Sequence, residues 1–194
     1  MIELSYFHSH VIPRVPGATI GMVNQAIRDA LIEWCEETAC HQASIGPVSL
    51  NENQSQVLLT TPSQTIVHRV LHARLNGTKE LIPAGYDLLV NEMGIDWEDQ
   101  VGEPRYVTTE EEGIVRVAPY PDYEIANGLN LRVSVRPTDG ASFVADFLGR
   151  YKYAISRGAL AILMSTPGSY SYSDAGLAGL HRTKFVEEME KCAT

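Results

Sequence analysis

The spacing of apolar residues changes twice along this chain, and that change limits the fold more than any other feature of the sequence. From Thr19 onward, Ile20, Val23, Ile27, Ala30, Leu31 and Trp34 recur at steps of three and four, which places them on one face of a helix. Thr19 is positioned to cap it, with Asn24, Gln25, Arg28, Asp29, Glu33 and Glu36 on the other faces and an expected end between Thr38 and His41. After Gly46-Pro47 the pattern becomes short alternating or apolar runs broken by turn residues, as in strands. Strands are predicted at Gln56–Thr60, Thr65–Leu75, Arg105–Thr109, Gly113–Ala118 and Leu129–Arg136. In the last of these, Leu131, Val133 and Val135 alternate with Arg132, Ser134 and Arg136, so one face should be buried and the other wet. Asn76-Gly77 is a tight-turn signal that should fold Thr65–Leu75 back toward Glu80–Ile82. Tyr86–Asn91 reads as a short helical turn, and Pro119 and Pro121 stop the strand that contains Val115 and Val117.

Helical spacing returns after Pro137-Thr138-Asp139-Gly140. Phe143, Phe147, Tyr151, Ile155 and Leu163 follow helical steps, with Gly158 a weak point, and Thr166-Pro167-Gly168-Ser169 is a stop. Ser173-Asp174 should cap a last helix whose apolar face carries Leu177, Leu180, His181, Phe185 and Met189. Helix, several strands, then two helices imply an α+β fold. The expected organisation is a helical bundle formed by residues 1–45 and 138–194, with an antiparallel β-rich insertion at 46–137. The opening segment, Met1 to Gly17, carries Pro13 and Pro16 and reads as an extended arm free to lie on a neighbour.

The chain has 194 residues and is 44% hydrophobic, enough for a real core. No run of about 18 apolar residues is present to span a membrane. The start has an acid, Glu3, where a secretory signal carries bases, and reads as a mature, cytosol-made terminus. Cys35, Cys40 and Cys192 are odd in number and lack C-x-x-C spacing, so free thiols in a reducing compartment are expected. The net charge of -9 is concentrated in the middle, where residues 51–136 carry 13 acids against seven bases. Glu92, Asp96, Glu98, Asp99, Glu103, Glu110, Glu111 and Glu112 face a single base, Arg105, which argues against a surface that grips phosphates.

Catalytic patterns are weak. His68 and His72 stand four apart, as two metal ligands on a helix would, but their β-branched surroundings predict a strand and the Glu that follows the first His in zinc hydrolases is absent. His8 and His10 share one side of the expected arm. No G-x-S-x-G, G-x-x-x-x-G-K-[ST] or G-x-G-x-x-G occurs, and Glu110, Glu111 and Glu112 lie in a polar run with nothing apolar to raise a carboxyl pKa. No catalytic, cofactor-binding or metal-binding residue is assigned. The reading is of a protein that is not an enzyme and needs no cofactor.

The stretch Asp146–Met164, followed by Pro167-Gly168 and Leu177–Phe185, resembles the C-terminal helix pair of head-to-tail adaptor (connector) proteins of short-tailed bacteriophages. Val11–Ala18 leading into Ala26-Ile27-Arg28-Asp29-Ala30 is similar too, as are Leu81–Asp87, Trp97, Gly102–Tyr106 and Ala118–Pro121. The resemblance spans most of the chain. It implies a structural virion protein, made in the host cytoplasm and placed at the neck, that forms a dodecameric ring joining the portal to the tail tube or nozzle. DNA would pass through its channel without specific binding. By the same resemblance Ser173–Cys192 is expected on the portal side and the strands between Gln56 and Arg136 on the tail side; because acidic walls repel the DNA backbone, part of Glu92–Glu112 is expected to line the ring lumen or its lower rim. The family has no catalytic residues. Another phage tail-completion or minor capsid protein shares most of these features. From other classes, a small metal-dependent hydrolase using His68 and His72 and a cellular ligand-binding domain stay open.

Overall fold

The computed structural model describes residues 1–57, 59–109, 113–168 and 170–193. The expected strand residue Leu58, the acids Glu110, Glu111 and Glu112, and Ser169 of the stop lie outside them. The fold is mixed α+β, and the chain divides into two units: Met1–Cys40 with Arg136–Thr194, and His41–Val135. The first boundary falls earlier than Gly46 because Gln42–Ile45 already pair with Leu131–Ser134 in a strand that the turn signal at Gly46-Pro47 hid.

The first segment is folded, contrary to the expected extended arm. It contains β1 (Ile2–Glu3), a 3-10 turn at Leu4–Phe7, α1 (His8–Val11) and a second 3-10 turn at Ile12–Arg14. Leu4, Phe7, Val11 and Val15 recur at helical steps and are buried in the core of the first unit. Pro13 is accommodated because it lies in the first turn of its helical segment, where its missing N–H has no partner to lose. Next comes α2 (Ile20–Thr38), with Thr19 as N-cap: its Oγ1 accepts the Met22 N–H at 3.3 Å. Val23, Ile27, Leu31 and Trp34 are buried along the predicted face. The helix ends on Ala39, whose φ of 48° is left-handed, and the Ala39 N–H returns to the Cys35 carbonyl at 3.1 Å.

The second unit holds β2 (Gln42–Leu50), β3 (Gln56–Val57), β4 (Thr65–Leu75), β5 (Lys79–Pro83), α3 (Tyr86–Met93), β6 (Tyr106–Thr108), β7 (Val115–Ala118) and most of β8 (Ile125–Pro137). They form one sheet in the order β2-β8-β4-β5-β6-β7-β3. Its outer strands, β2 and β3, are joined by only the residues between Leu50 and Gln56, which reach about 20 Å at most, whereas seven strands laid flat span about 29 Å. The sheet therefore curls around a single core to which Leu50, Val57, Val67, Leu81, Val107 and Leu129 all belong. Asn76 and Gly77 take φ of 52° and 71° and turn β4 back onto β5, as their sequence predicts. The sheet is not wholly antiparallel: β5 and β6 run parallel, with Ile82 opposite Tyr106, because α3 carries the chain across between them.

On β8, Leu131, Val133 and Val135 are buried and Arg132 exposed as expected, but Ser134 and Arg136 are also buried. Both faces of this end of the strand are covered. Arg136 is tolerated there because Glu36 lies 3.1 Å and Asp139 3.2 Å from its guanidinium.

The chain then returns to the first unit with β9 (Phe143–Val144), which pairs with β1, a 3-10 turn at Asp146–Tyr151, α4 (Lys152–Ser165) and α5 (Ala175–Ala193). Phe143 thus belongs to a strand, not to the helical run predicted for it. Gly158 is a packing requirement: a Cβ there would meet the Ala30 Cβ at 2.9 Å and the Phe185 ring at 3.0 Å. Its bare backbone lets α2, α4 and α5 pack closely. Asp174 caps α5, accepting the Leu177 N–H at 2.9 Å.

Candidate interaction surface

Large apolar side chains remain in water on both units. In the second unit, the segment from the end of β5 through α3 to β6 exposes Ile82, Tyr86, Leu88, Ile95 and Val101; Ile95 is 75% exposed. Isolated exposed apolar residues are ordinary, but several on one short, well-held segment mark a contact surface. This segment is held firmly. Leu89 and Trp97 are buried against Ala118. Gln100 Nε2 donates to the Met93 carbonyl at 2.5 Å, Tyr120 N–H to the Gln100 carbonyl at 3.0 Å, and Gly102 N–H to the Tyr120 carbonyl at 2.8 Å. Interleaved with these apolar residues in the sequence, Asp87, Glu92, Asp96, Glu98, Asp99 and Glu103 are all exposed. Lys79 meets Glu103 at 2.9 Å. The segment thus exposes apolar and acidic side chains together.

In the first unit the exposed large apolar side chains are more dispersed: Met1, Tyr6, Ile12, Ile20, Phe143, Tyr153 and Tyr170, besides Leu177 and Leu180 of α5 at 45% and 55%. The helix buries Ala178, Phe185 and Met189 instead, so the predicted broad apolar face divides into an inner stripe and an outer pair. An open groove of about 560 Å³ runs between the end of α4 and the start of α5, with Ile162, Met164, Pro167 and Ala178 in its wall. Arg182 stands at its edge, gripped by both carboxylate oxygens of Glu33 at 2.5 and 2.7 Å. That hydrogen bond pushes the Arg182 pKa up further. Arg182 is half exposed, so the pair contributes about 1 kcal/mol at most. Beside it, burial holds His181 below the usual imidazole value, with Arg14 and Arg157 adding to the effect.

The histidines singled out in the sequence do not come together. His68 and His72 both lie on β4, where four residues of strand span about 13 Å, too far for one ion's coordination shell. Among the described residues no group of three His, Cys, Asp or Glu side chains is arranged to hold a metal. His8 and His10 lie on α1: His8 Nε2 is 2.6 Å from Asn24 Oδ1, and the His10 ring packs against Tyr153 at 4.8 Å. The apolar surface at 82–101 was not anticipated, because Ile95 and Val101 are scattered singly among acids. Their presence in an otherwise solvated run was the available signal. No described helix is long and apolar enough to cross a membrane. The sequence matches no known family model and no curated protein.

Proposed function

We propose that this protein is a structural subunit of a bacteriophage virion, a head-to-tail adaptor that forms a ring between the portal and the tail tube or nozzle. The observation that carries this reading is that both units leave large apolar side chains exposed, a run of them on the 82–101 segment of the second and, among several in the first, Leu177 and Leu180 on α5. A protein that joins two different neighbours needs two such surfaces, and obligate assemblies bury apolar area of this kind. In this reading the first unit is a helical body, in which Leu177 and Leu180 of α5 meet the portal. The second unit is its β-rich insertion, whose 82–101 segment faces the tail. The acidic character of that unit, 13 acids against six bases in residues 41–135, suits a channel that must pass DNA without holding it.

The deciding experiment is to locate the subunit in intact virions by cryo-electron microscopy and to mix the purified protein with its phage's portal. The expected result is a twelve-fold ring, as the family resemblance implies, stacked on the portal. A subunit found elsewhere in the tail or capsid would replace this reading with a tail-completion or minor capsid role, and absence from the virion would end it. Acids of 92–103 found wholly on the outer wall of the ring would remove their part in the channel.

A further inference from the structure

Strand alternation gathers polar donors on one face of the sheet in the second unit. Successive strand side chains point to opposite faces, so Ala73 of β4, Leu131 of β8 and Ile45 of β2 enter the core while His72, Arg74, Asn130, Arg132 and Ser44 stay outside. β8 lies between β2 and β4, with Ser44 opposite Arg132, and all five polar residues line one open cavity of about 450 Å³. Its shape has a local cause. The register of β2 against β8 slips between Ile45 and Val48, and a bulge of this kind bends its strand. Gly46 stands at the bend with a φ of 133°, and a Cβ there would meet the Leu129 carbonyl at 2.7 Å and Asn130 Oδ1 at 2.9 Å.

The cavity is cationic within an acidic unit. Residues 41–135 hold six bases against 13 acids, yet Arg74 and Arg132 both line the cavity and, among the described residues, no Asp or Glu does. Arg132 Nε donates to Gln42 Oε1 at 2.8 Å, which steadies the guanidinium and leaves its two terminal nitrogens without a partner among the described residues. Glu80 stands opposite Arg74 in the β4–β5 register, but the two form no ion pair, and the Arg74 guanidinium has no other described partner. The side chains of His72, Asn130 and Ser44 likewise have no hydrogen-bond partner among the described residues. Two guanidinium groups, an amide, a hydroxyl and an imidazole can thus all donate to one ligand, which must be rich in acceptors.

We propose that this cavity is a binding site for a small phosphate, either the inorganic ion or the phosphate of a small monoester. The donors come from three strands and surround the ligand, which suits the several oxygens of a tetrahedral phosphate. A planar carboxylate presents only two oxygens and is satisfied by one guanidinium. A small anion is also favoured over nucleic acid, because repulsion from the surrounding acids grows with every phosphate brought near the unit, whereas a single phosphate meets the local cationic field. Arg74 and Arg132 are the principal contacts, and Ser44, His72 and Asn130 complete the set.

The test uses the full chain, inorganic phosphate as the probe and backbone amide chemical shifts as the readout, with sodium chloride holding the ionic strength constant. Two charge-assisted hydrogen bonds correspond to a Kd on the order of a millimolar. The expected result is a saturable shift confined to β2, β4 and β8 around Ser44, Arg74 and Arg132, with affinity lowered about tenfold or more in Arg74→Gln and in Arg132→Gln. Both arginines are exposed, so neither substitution opens a core, and the spectrum of each free variant reports whether it is folded. The location of the shifts in the unmodified protein decides the matter even if a variant fails to fold. No saturable shift there, shifts centred elsewhere, or unchanged affinity in either folded variant overturns the proposal. Acetate and a short DNA duplex are titrated alongside, and both are expected to leave these amides unmoved at the concentration where phosphate saturates. Acetate binding as tightly as phosphate would make this a carboxylate site, and a duplex that moves the same amides at lower concentration would make it a nucleic-acid surface; either outcome overturns the phosphate assignment.

Discussion

At Gly158 two effects of known size oppose each other. Alanine is favoured over glycine inside a helix by about 1 kcal/mol, whereas overfilling a packed core costs about 1–3 kcal/mol. The nearest atom to the new Cβ, 2.9 Å away, is the Cβ of Ala30, which is fixed to the backbone of α2 and cannot rotate aside. The steric cost should win: Gly158→Ala is expected to destabilise the protein by about 1 kcal/mol, read as a lower urea midpoint with an unchanged slope. Cys40 gives a second prediction at this scale, with the sign fixed by linkage. A folded pKa lowered from 9.0 to about 6 means that the unfolded chain binds more protons between those values, so stability rises with pH across that window and is lost as pH falls through about 6. Cys35 is shifted the other way, so its contribution fades above 9.0. The melting temperature of the unmodified protein minus that of Cys40→Ser should therefore grow from about pH 6 to about pH 9; a flat difference would mean that the thiolate is not favoured in the fold.

Among the elements, the segment before α2 departs furthest from expectation. Phe7 and Val11 are fully buried and Leu4 nearly so, and the strand pair of β1 with β9 ties the segment down. Phe7→Ala should then cost about 3–5 kcal/mol, a loss that a free arm would not show on urea unfolding. Conversely, Leu180→Asp on the outer side of α5 should leave stability within about 0.5 kcal/mol. These two cases also show what a sequence reveals. The helix at Thr19–Thr38, the Asn76-Gly77 hairpin and the Asp174 cap depend on interactions within a few residues and were legible. The helical turn at 8–11 carried its spacing, Leu4-Phe7-Val11-Val15, but two prolines pointed to extended chain and obscured it. β2 was missed because its Gly46-Pro47 signalled a turn, and the burial of Arg136 because its partner Glu36 lies far away in sequence. The parallel pairing of β5 with β6 follows from a crossover through α3 and has no local signature. The apolar surface at 82–101 depends on which side chains the small core around Trp97 leaves outside, which spacing alone does not encode.

For the whole molecule, the two units have separate cores, and each leaves large apolar side chains exposed. If the protein joins two neighbours, damage to one group should leave the other contact intact. Ile95→Asp places a charge among the exposed apolar side chains of the 82–101 segment, and Leu180→Asp places one on α5. Neither side chain is part of a core, so both variants should unfold at the urea midpoint of the unmodified protein, and a lost contact can then be assigned to the surface. Burying an unpaired carboxylate in an apolar contact costs several kcal/mol, enough to weaken binding by more than about a hundredfold. Mass photometry with the portal, and separately with the tail component, should show Leu180→Asp losing only the portal and Ile95→Asp losing only the tail component. Loss of both partners in one variant would mean that the two groups do not act as separate contacts. Retention of both partners in both variants would mean that the exposed apolar groups are not the joining surfaces, and the two-sided adaptor reading would lose its main support.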